Sequence, residues 1–313
     1  MKRLRVRVIL LLGILVGISV AAAFLLMSDN DRQEMVSGQV LVADAAFPAA
    51  LAPLEEGGLL YGERLSGRIR RVDPDGRLRS QPVAAVEVST EGQRGLLGVA
   101  VSDRGRVFAS WTRPDGRLVV GRVDPGPQRL VWLGPESTDL ATGGHLTTSP
   151  DGRLVIGIGD LTQPELVADP SSPNGKLLAL DPGGRPTQMP EVLSSGWNNP
   201  FAFDFSPAGR LWVADNSPGD QPERLARGDV RNPPVTELTR PTAPSALAAV
   251  DDERLLVCGF ITRTLEAFVT SDDRARATGE PLATDCSLGV VILSDGRIAY
   301  SNEDSVRVLP AGS

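Results

Sequence analysis

A chain of 313 residues with 41% hydrophobic and 23% charged residues has the balance of a globular protein, and is too apolar for extended disorder. Its formal net charge is −7, and its arginines stand singly beside Asp-Gly turns; this excludes nucleic acid as a natural partner, because phosphate recognition needs clustered Lys and Arg. With 33 Gly and 25 Pro, turns are favoured over long helices.

In chain order, Lys2, Arg3, Arg5 and Arg7 precede an uncharged apolar run over residues 8–27, 20 residues long and about one bilayer crossing. The basic flank predicts a cytoplasmic N-terminus and an exported bulk. Two readings stand side by side. A signal peptide would use residues 8–20 as its apolar region and be cut after the Ala21-x-Ala23 signature, leaving a secreted or periplasmic protein. An uncleaved anchor would use the whole run and hold the protein on the cell membrane as a single-pass species. Residues 1–27 thus read as targeting segment or transmembrane helix, residues 28–38 as a polar tether, and residues 39–313 as the folded domain. Cys258 and Cys286 are the only cysteines; in an exported chain they read either as a disulfide or as two small buried side chains in neighbouring strands.

From residue 39 onward one pattern recurs: an Asp-Gly turn or a relative of it, then Arg, then a short apolar strand. The arginines fall at positions 77, 117, 153, 210, 254 and 297, with spacings of 40, 36, 57, 44 and 43 residues. Such a period, with short strands and no amphipathic helical runs between them, predicts an all-β six-bladed propeller of about 46 residues per blade. Residues 229–244, rich in Pro and polar residues, read as an inter-blade loop.

Four stretches depart from the repeat, and departures are where chemistry is expected. They are Glu91-Gly92-Gln93-Arg94-Gly95-Leu96-Leu97-Gly98; Thr142-Gly143-Gly144-His145 with Gly157-Ile158-Gly159-Asp160; Asn174-Gly175-Lys176-Leu177-Leu178; and Gly196-Trp197-Asn198-Asn199-Pro200-Phe201 with Asp215-Asn216-Ser217-Pro218. In this order, over residues 93–218, they resemble the PQQ-dependent soluble aldose dehydrogenases, also called glucose/sorbosone dehydrogenases. The resemblance implies a six-bladed propeller that oxidises the anomeric carbon of an aldose, with PQQ and calcium as cofactors. Carried over residue by residue, it makes Asp160 a catalytic candidate and Gln93, Asn198 and Asn199 cofactor-binding candidates. It likens Asp215, Ser217 and Pro218, in a loop running on to Asp220, to the calcium site, where oxygen ligands are plentiful.

The sequence also departs from the family. Its catalytic base, a His, corresponds here to Ala141, whose methyl group takes no proton. His145 stands where the family has Arg, and Asn198 where it has a second Arg. Three or four residues along a strand shift an imidazole by about 10 Å, so His145 is not a simple replacement; in an active enzyme Asp160 or His145 would have to supply the base. Plainer roles stand beside these. His145 reads equally as a structural or surface residue, Asp160 as a turn cap, and Gln93 and Asn199 as backbone partners within loops. Residues 215–220 also read as a solvated acidic turn, and Trp197 and Trp212 as packing residues. The expectation is therefore a low-activity or non-catalytic relative that binds a sugar or cell-envelope ligand. The alternatives are an active PQQ- and calcium-dependent sugar dehydrogenase and an extracytoplasmic protein-interaction scaffold.

Overall fold

The computed structural model describes residues 37–313 apart from 125, 219, 220, 239 and 240; the expected targeting segment and most of the expected tether lie outside the described residues. The strands are short because turns recur, and those nearer the centre, such as Leu59–Glu63, Leu154–Ile158 and Leu211–Asp215, are wholly buried because they pack between two neighbouring sheets. β1 (Gln39–Val42) comes first and joins the last blade. Blade 1 is β2 (Pro48–Pro53), β3 (Leu59–Glu63), β4 (Arg68–Val72) and β5 (Ala84–Ala85). Blade 2 is β6 (Leu96–Val101), β7 (Val107–Thr112), β8 (Arg117–Asp124) and β9 (Arg129–Glu136). Blade 3 is β10 (Gly143–Thr148), β11 (Leu154–Ile158), β12 (Lys176–Leu180) and β13 (Glu191–Ser195). Blade 4 is β14 (Ala202–Phe205), β15 (Leu211–Asp215), β16 (Arg224–Arg227) and β17 (Thr236–Glu237). Blade 5 is β18 (Pro244–Ala249), β19 (Arg254–Gly259), β20 (Leu265–Ser271) and β21 (Arg274–Ala277). Blade 6 is β22 (Val290–Ile292), β23 (Ile298–Ser301) and β24 (Val306–Leu309), completed by β1. Neighbouring strands pair antiparallel, including the closing pair, where β1 meets β24 with Gln39 opposite Val308. Among the described residues the only helix is a 3₁₀ turn, Pro164–Leu166.

The hydrophobic core is six clusters, one at each blade–blade junction. Strand alternation distributes side chains between them. In β11, Leu154, Ile156 and Ile158 face blade 2 while Val155 faces blade 4. That is why these strands read as continuous apolar runs. Trp212 is 1% exposed in the blade 4–blade 5 cluster, and Trp197 lies in the blade 3–blade 4 cluster, so both are packing residues.

The blade count agrees with the repeat, but two of its markers sit elsewhere in their blades. Arg153, Arg210, Arg254 and Arg297 all follow the first strand of blades 3 to 6. Arg117 instead opens β8, the third strand of blade 2, and Arg77 follows β4, the third strand of blade 1. The equivalent turns in blades 1 and 2 are Glu55-Glu56-Gly57-Gly58 and Asp103-Arg104-Gly105-Arg106. Any tight turn with a left-handed Gly serves, so the same short motif appears at different corners.

Polar stitches and one covalent link join the blades. Ser301 Oγ of blade 6 donates to Pro48 O of blade 1 at 2.8 Å. The Arg263 guanidinium pairs with Glu303 across blades 5 and 6 at 2.7 and 2.8 Å. Cys258, at the end of β19, is disulfide-bonded to Cys286, just ahead of β22. Of the two readings of the cysteines, the bridge is the one realised. Closing a loop of 28 residues restricts the unfolded chain by about 3–4 kcal/mol in the chain-entropy account. Replacing both cysteines by Ala should therefore lower the urea midpoint, by about 2–4 kcal/mol of stability, and steepen the slope, because the unbridged unfolded chain exposes more surface. An unaltered midpoint would remove the bridge from the stability of the ring.

Candidate functional site

The six inner strands begin at one face of the ring, and their heads enclose a cavity of about 280 Å³ on the axis. Every blade contributes: Phe47 and Arg64 from blade 1, Gln93 from the head of blade 2, Gly143 from blade 3, Asn199 from blade 4, Phe260 from blade 5 and Leu288 from blade 6. Asn216 of blade 4 adds a third carboxamide, and the other lining side chains are apolar.

The Gly-Gly pair at the head of β10 is there for space. Gly143 has φ +70°, and a side chain on it would meet Gly157 O at 2.4 Å; one on Gly144, at φ +107°, would meet Leu97 Cδ1 at 2.5 Å. The register between β10 and β11 shifts between Gly143 and Leu146. This irregular head leaves two backbone amides for side chains of neighbouring blades. Gly143 N donates to Asn199 Oδ1 at 3.0 Å, and Thr142 N donates, more weakly, to Gln93 Oε1 at 3.4 Å. Both carboxamide oxygens are thereby engaged, which fixes the amide orientation. Their NH₂ groups have no acceptor among the described residues and are available to a ligand.

Among the described residues Arg64 is the one cation lining the cavity, and it is already occupied: its Nε donates to Arg94 O at 3.0 Å, its Nη2 donates to Gly92 O, and its guanidinium lies over the Phe47 ring. Burial pulls its pKa below the usual arginine value.

Asp160 and Asn198 do not line the cavity; they bond to each other behind its wall. Asn198 Nδ2 donates to Asp160 Oδ2 at 2.6 Å, and Asp160 N donates to Asn198 O at 2.6 Å. The other carboxylate oxygen accepts from Thr162 N at 2.8 Å, a turn cap. Ala141 sits beside them in left-handed backbone, φ +51°, its carbonyl accepting from Leu161 N at 3.2 Å.

Asp215, fully buried at the end of β15, is the anchor beneath Asn199. Its carboxylate accepts from Asn198 N, from Asn199 N at 2.8 Å, and from Arg224 Nε and Nη2 at 3.0 and 2.7 Å. Arg224 in turn lies 5.1 Å over the Trp197 ring. Burial pushes the Asp215 carboxyl up, against the pull of Arg224 and the two amides. A calcium ion drawing on Asp215 would have to compete with that guanidinium. Ser217 and Pro218 follow on the loop, whose Gly219 and Asp220 lie outside the described residues, and among the described residues no three His, Cys, Asp or Glu are grouped to hold a metal.

His145 lies elsewhere, in a second axial cavity of about 290 Å³ bounded by all six inner strands. Its ring stands edge-on to Phe203 at 4.8 Å and is tilted 6.0 Å from Phe201, which lines the upper cavity. Burial holds its pKa down at about 4, partly offset by a hydrogen bond to the Phe203 backbone, so the imidazole is neutral. The same cavity receives Asp204, whose pKa burial raises to about 6 although it accepts from Phe205 N at 2.8 Å and Ala249 N at 3.0 Å.

The residues that sequence reasoning passed over are Phe47, Arg64 and Phe260; Asn216, from the stretch compared with the calcium loop, also lines the cavity. One signal could have found part of this set. A residue–proline step heads three inner strands, at Phe47-Pro48, Asn199-Pro200 and Ala243-Pro244, and each residue before proline lines the cavity.

The family model described as Glucose / Sorbosone dehydrogenase matches residues 45–229. Among solved structures, one from Thermus thermophilus, provisionally described as an oxidoreductase (glucose dehydrogenase), is 27% identical with a TM-score of 0.73; the alignment covers 87% of this chain and 99% of that one. The PQQ-bound aldose sugar dehydrogenase of Streptomyces coelicolor is 23% identical, with a TM-score of 0.72 over 87% of this chain and 97% of that one. The apo-form soluble aldose sugar dehydrogenase of Escherichia coli is 20% identical, with a TM-score of 0.72 over 87% and 99%. No curated protein matches the chain in sequence.

The two titratable groups of the lower cavity act in opposite directions on stability. Asp204, raised to about 6, stabilises the fold at low pH and loses that contribution as pH rises through 6; His145, lowered to about 4, stabilises above its ordinary value and loses that contribution as pH falls toward 4. Between about pH 4 and 6.5, Asp204→Asn should therefore gain stability relative to the parent as pH rises, while His145→Gln should lose it. Thermal unfolding across that window checks both signs, and parallel curves for all three proteins would refute the assignment.

Proposed function

The chain belongs to the glucose/sorbosone dehydrogenase family as a divergent member, and from that premise we propose that it is a ligand-binding propeller without the family's oxidative turnover. Its axial cavity takes an uncharged, oxygen-bearing ligand of the sugar or cell-envelope class. One observation carries this reading: the cavity keeps two carboxamide NH₂ donors, at Gln93 and Asn199, while position 141, where the family's base stands, holds Ala. Donors bind oxygen acceptors; oxidation of a sugar also needs a group to take the hydroxyl proton.

The residues present do not fit PQQ well. The cofactor is a quinone with three carboxylates, and the only lining cation among the described residues, Arg64, already serves two backbone carbonyls. Asn198 turns to Asp160, and Asp215 is held by Arg224, which weakens the case for calcium. PQQ- and calcium-dependent aldose oxidation is the second reading. It is favoured by the retention of Gln93 and Asn199 at the cavity and by the PQQ-bound form of the Streptomyces coelicolor relative. We further propose export, with residues 8–27 either kept as a membrane anchor or cut near Ala23. An N-terminal sequence beginning near Phe24 would mark cleavage.

Incubation with PQQ and calcium, followed by a dye-linked aldose assay, separates the two readings. The parent should reduce dye no faster than buffer, and loss of the base alone accounts for about 10²–10⁴ in rate. Turnover in the ordinary enzymatic range, about 1–10³ per second, would overturn the binding reading.

A further inference from the structure

Resting on that binding reading, we propose that the natural ligand is an amphiphile: a glycoside whose sugar oxygens meet Gln93 and Asn199 and whose apolar aglycone runs out over the rim of the cavity.

The lining is one part of the case. A free sugar presents hydroxyls around its whole ring, and each one buried without a partner is costly. Here, among the described residues, no carboxylate lines the cavity, the sole guanidinium is already bonded, the remaining polar side chains are the carboxamides of Gln93, Asn199 and Asn216, and Phe47, Phe201 and Phe260 form much of the wall. Such a site satisfies a few oxygens on one side of a ligand and offers apolar surface to the rest.

The rim is the second part, and it is independent. Large exposed apolar side chains among the described residues fall in two places. Val40, Leu133, Met189, Val192 and Val235 lie on or beside the outermost strands of their blades. Leu65, Leu140, Phe260 and Ile261 are on the cavity face, at 49, 62, 46 and 60% exposure. Phe260 is itself lining, and the other three are sequence neighbours of lining residues: Leu65 follows Arg64, Leu140 is three residues ahead of Gly143, and Ile261 follows Phe260. Phe260, which lines the cavity and is also solvent-exposed, carries its apolar surface outward on the face that bears Leu65, Leu140 and Ile261, and that is where an alkyl or aryl aglycone would lie.

The experiment is isothermal titration of the purified full chain with methyl, butyl, hexyl and octyl β-D-glucoside, all below micelle formation, with an octyl sulfobetaine as a sugarless control. Affinity should rise along the series by up to about fourfold per buried methylene, giving at least a roughly tenfold gain from methyl to octyl. Ile261→Asp should flatten that rise, whereas Leu133→Asp on the outer edge should leave it intact. Equal affinity for all four glucosides would overturn the amphiphile while leaving sugar binding in place. Binding of the sulfobetaine as tight as that of octyl glucoside would also overturn it, since the sugar would then contribute nothing. No binding by any glucoside would reject the binding reading itself.

Discussion

Every residue at the mouth of the axial cavity is held at a radius set by closure of the ring, in which β1, from the start of the domain, completes the sheet made at its end. Gly38 N donates to Tyr300 OH at 2.6 Å, and that hydroxyl donates on to Asp285 at 2.7 Å, so the first described residues are tied to the last blade. No blade buries its own faces. Stability comes from six junctions of equal kind, and opening any one exposes two apolar sheet faces at once. Such an arrangement tolerates wide variation in the loops, and loops are what build the site.

The junction of blades 3 and 4 does more than pack. Asp215 fixes the backbone of Asn198 and Asn199; Asn198 then turns to Asp160, while Asn199 turns to Gly143 and the cavity. One buried carboxylate thus orients two successive side chains in opposite directions. Its partner Arg224 is partly exposed, and losing it would leave the buried Asp215 carboxylate without its counter-charge. Asp215, which in sequence belongs to the metal-like loop, here anchors the backbone of an amide donor.

The architecture was legible because turn and strand chemistry repeats with a blade-sized period. Its details were less so, since Asp115-Gly116 and Asp75-Gly76 make the same tight turn at different corners of their blades. Gln93 and Asn199 could be picked out from motif order. His145 could not be placed, because Gly143 and Gly144 introduce a register shift that sends the next side chain to the lower cavity. Arg64 and Phe260 were hidden for a simpler reason: they follow second strands, whose antiparallel pairing returns them beside the inner-strand heads at Phe47 and Ala243.

Divergence in this chain is therefore selective. In the proposed reading the carboxamides of Gln93 and Asn199 are kept as donors, Ala141 stands where the resemblance puts the base, and most of the cavity wall is apolar. The most direct test follows the two carboxamides themselves, in protein labelled with ¹⁵N at Asn and Gln side chains and titrated with octyl glucoside. The account predicts that the NH₂ resonances of Gln93 and Asn199, assigned by Gln93→Glu and Asn199→Asp, shift together and saturate with a single affinity. Saturable shifts confined to other carboxamides, with these two unmoved, would contradict it.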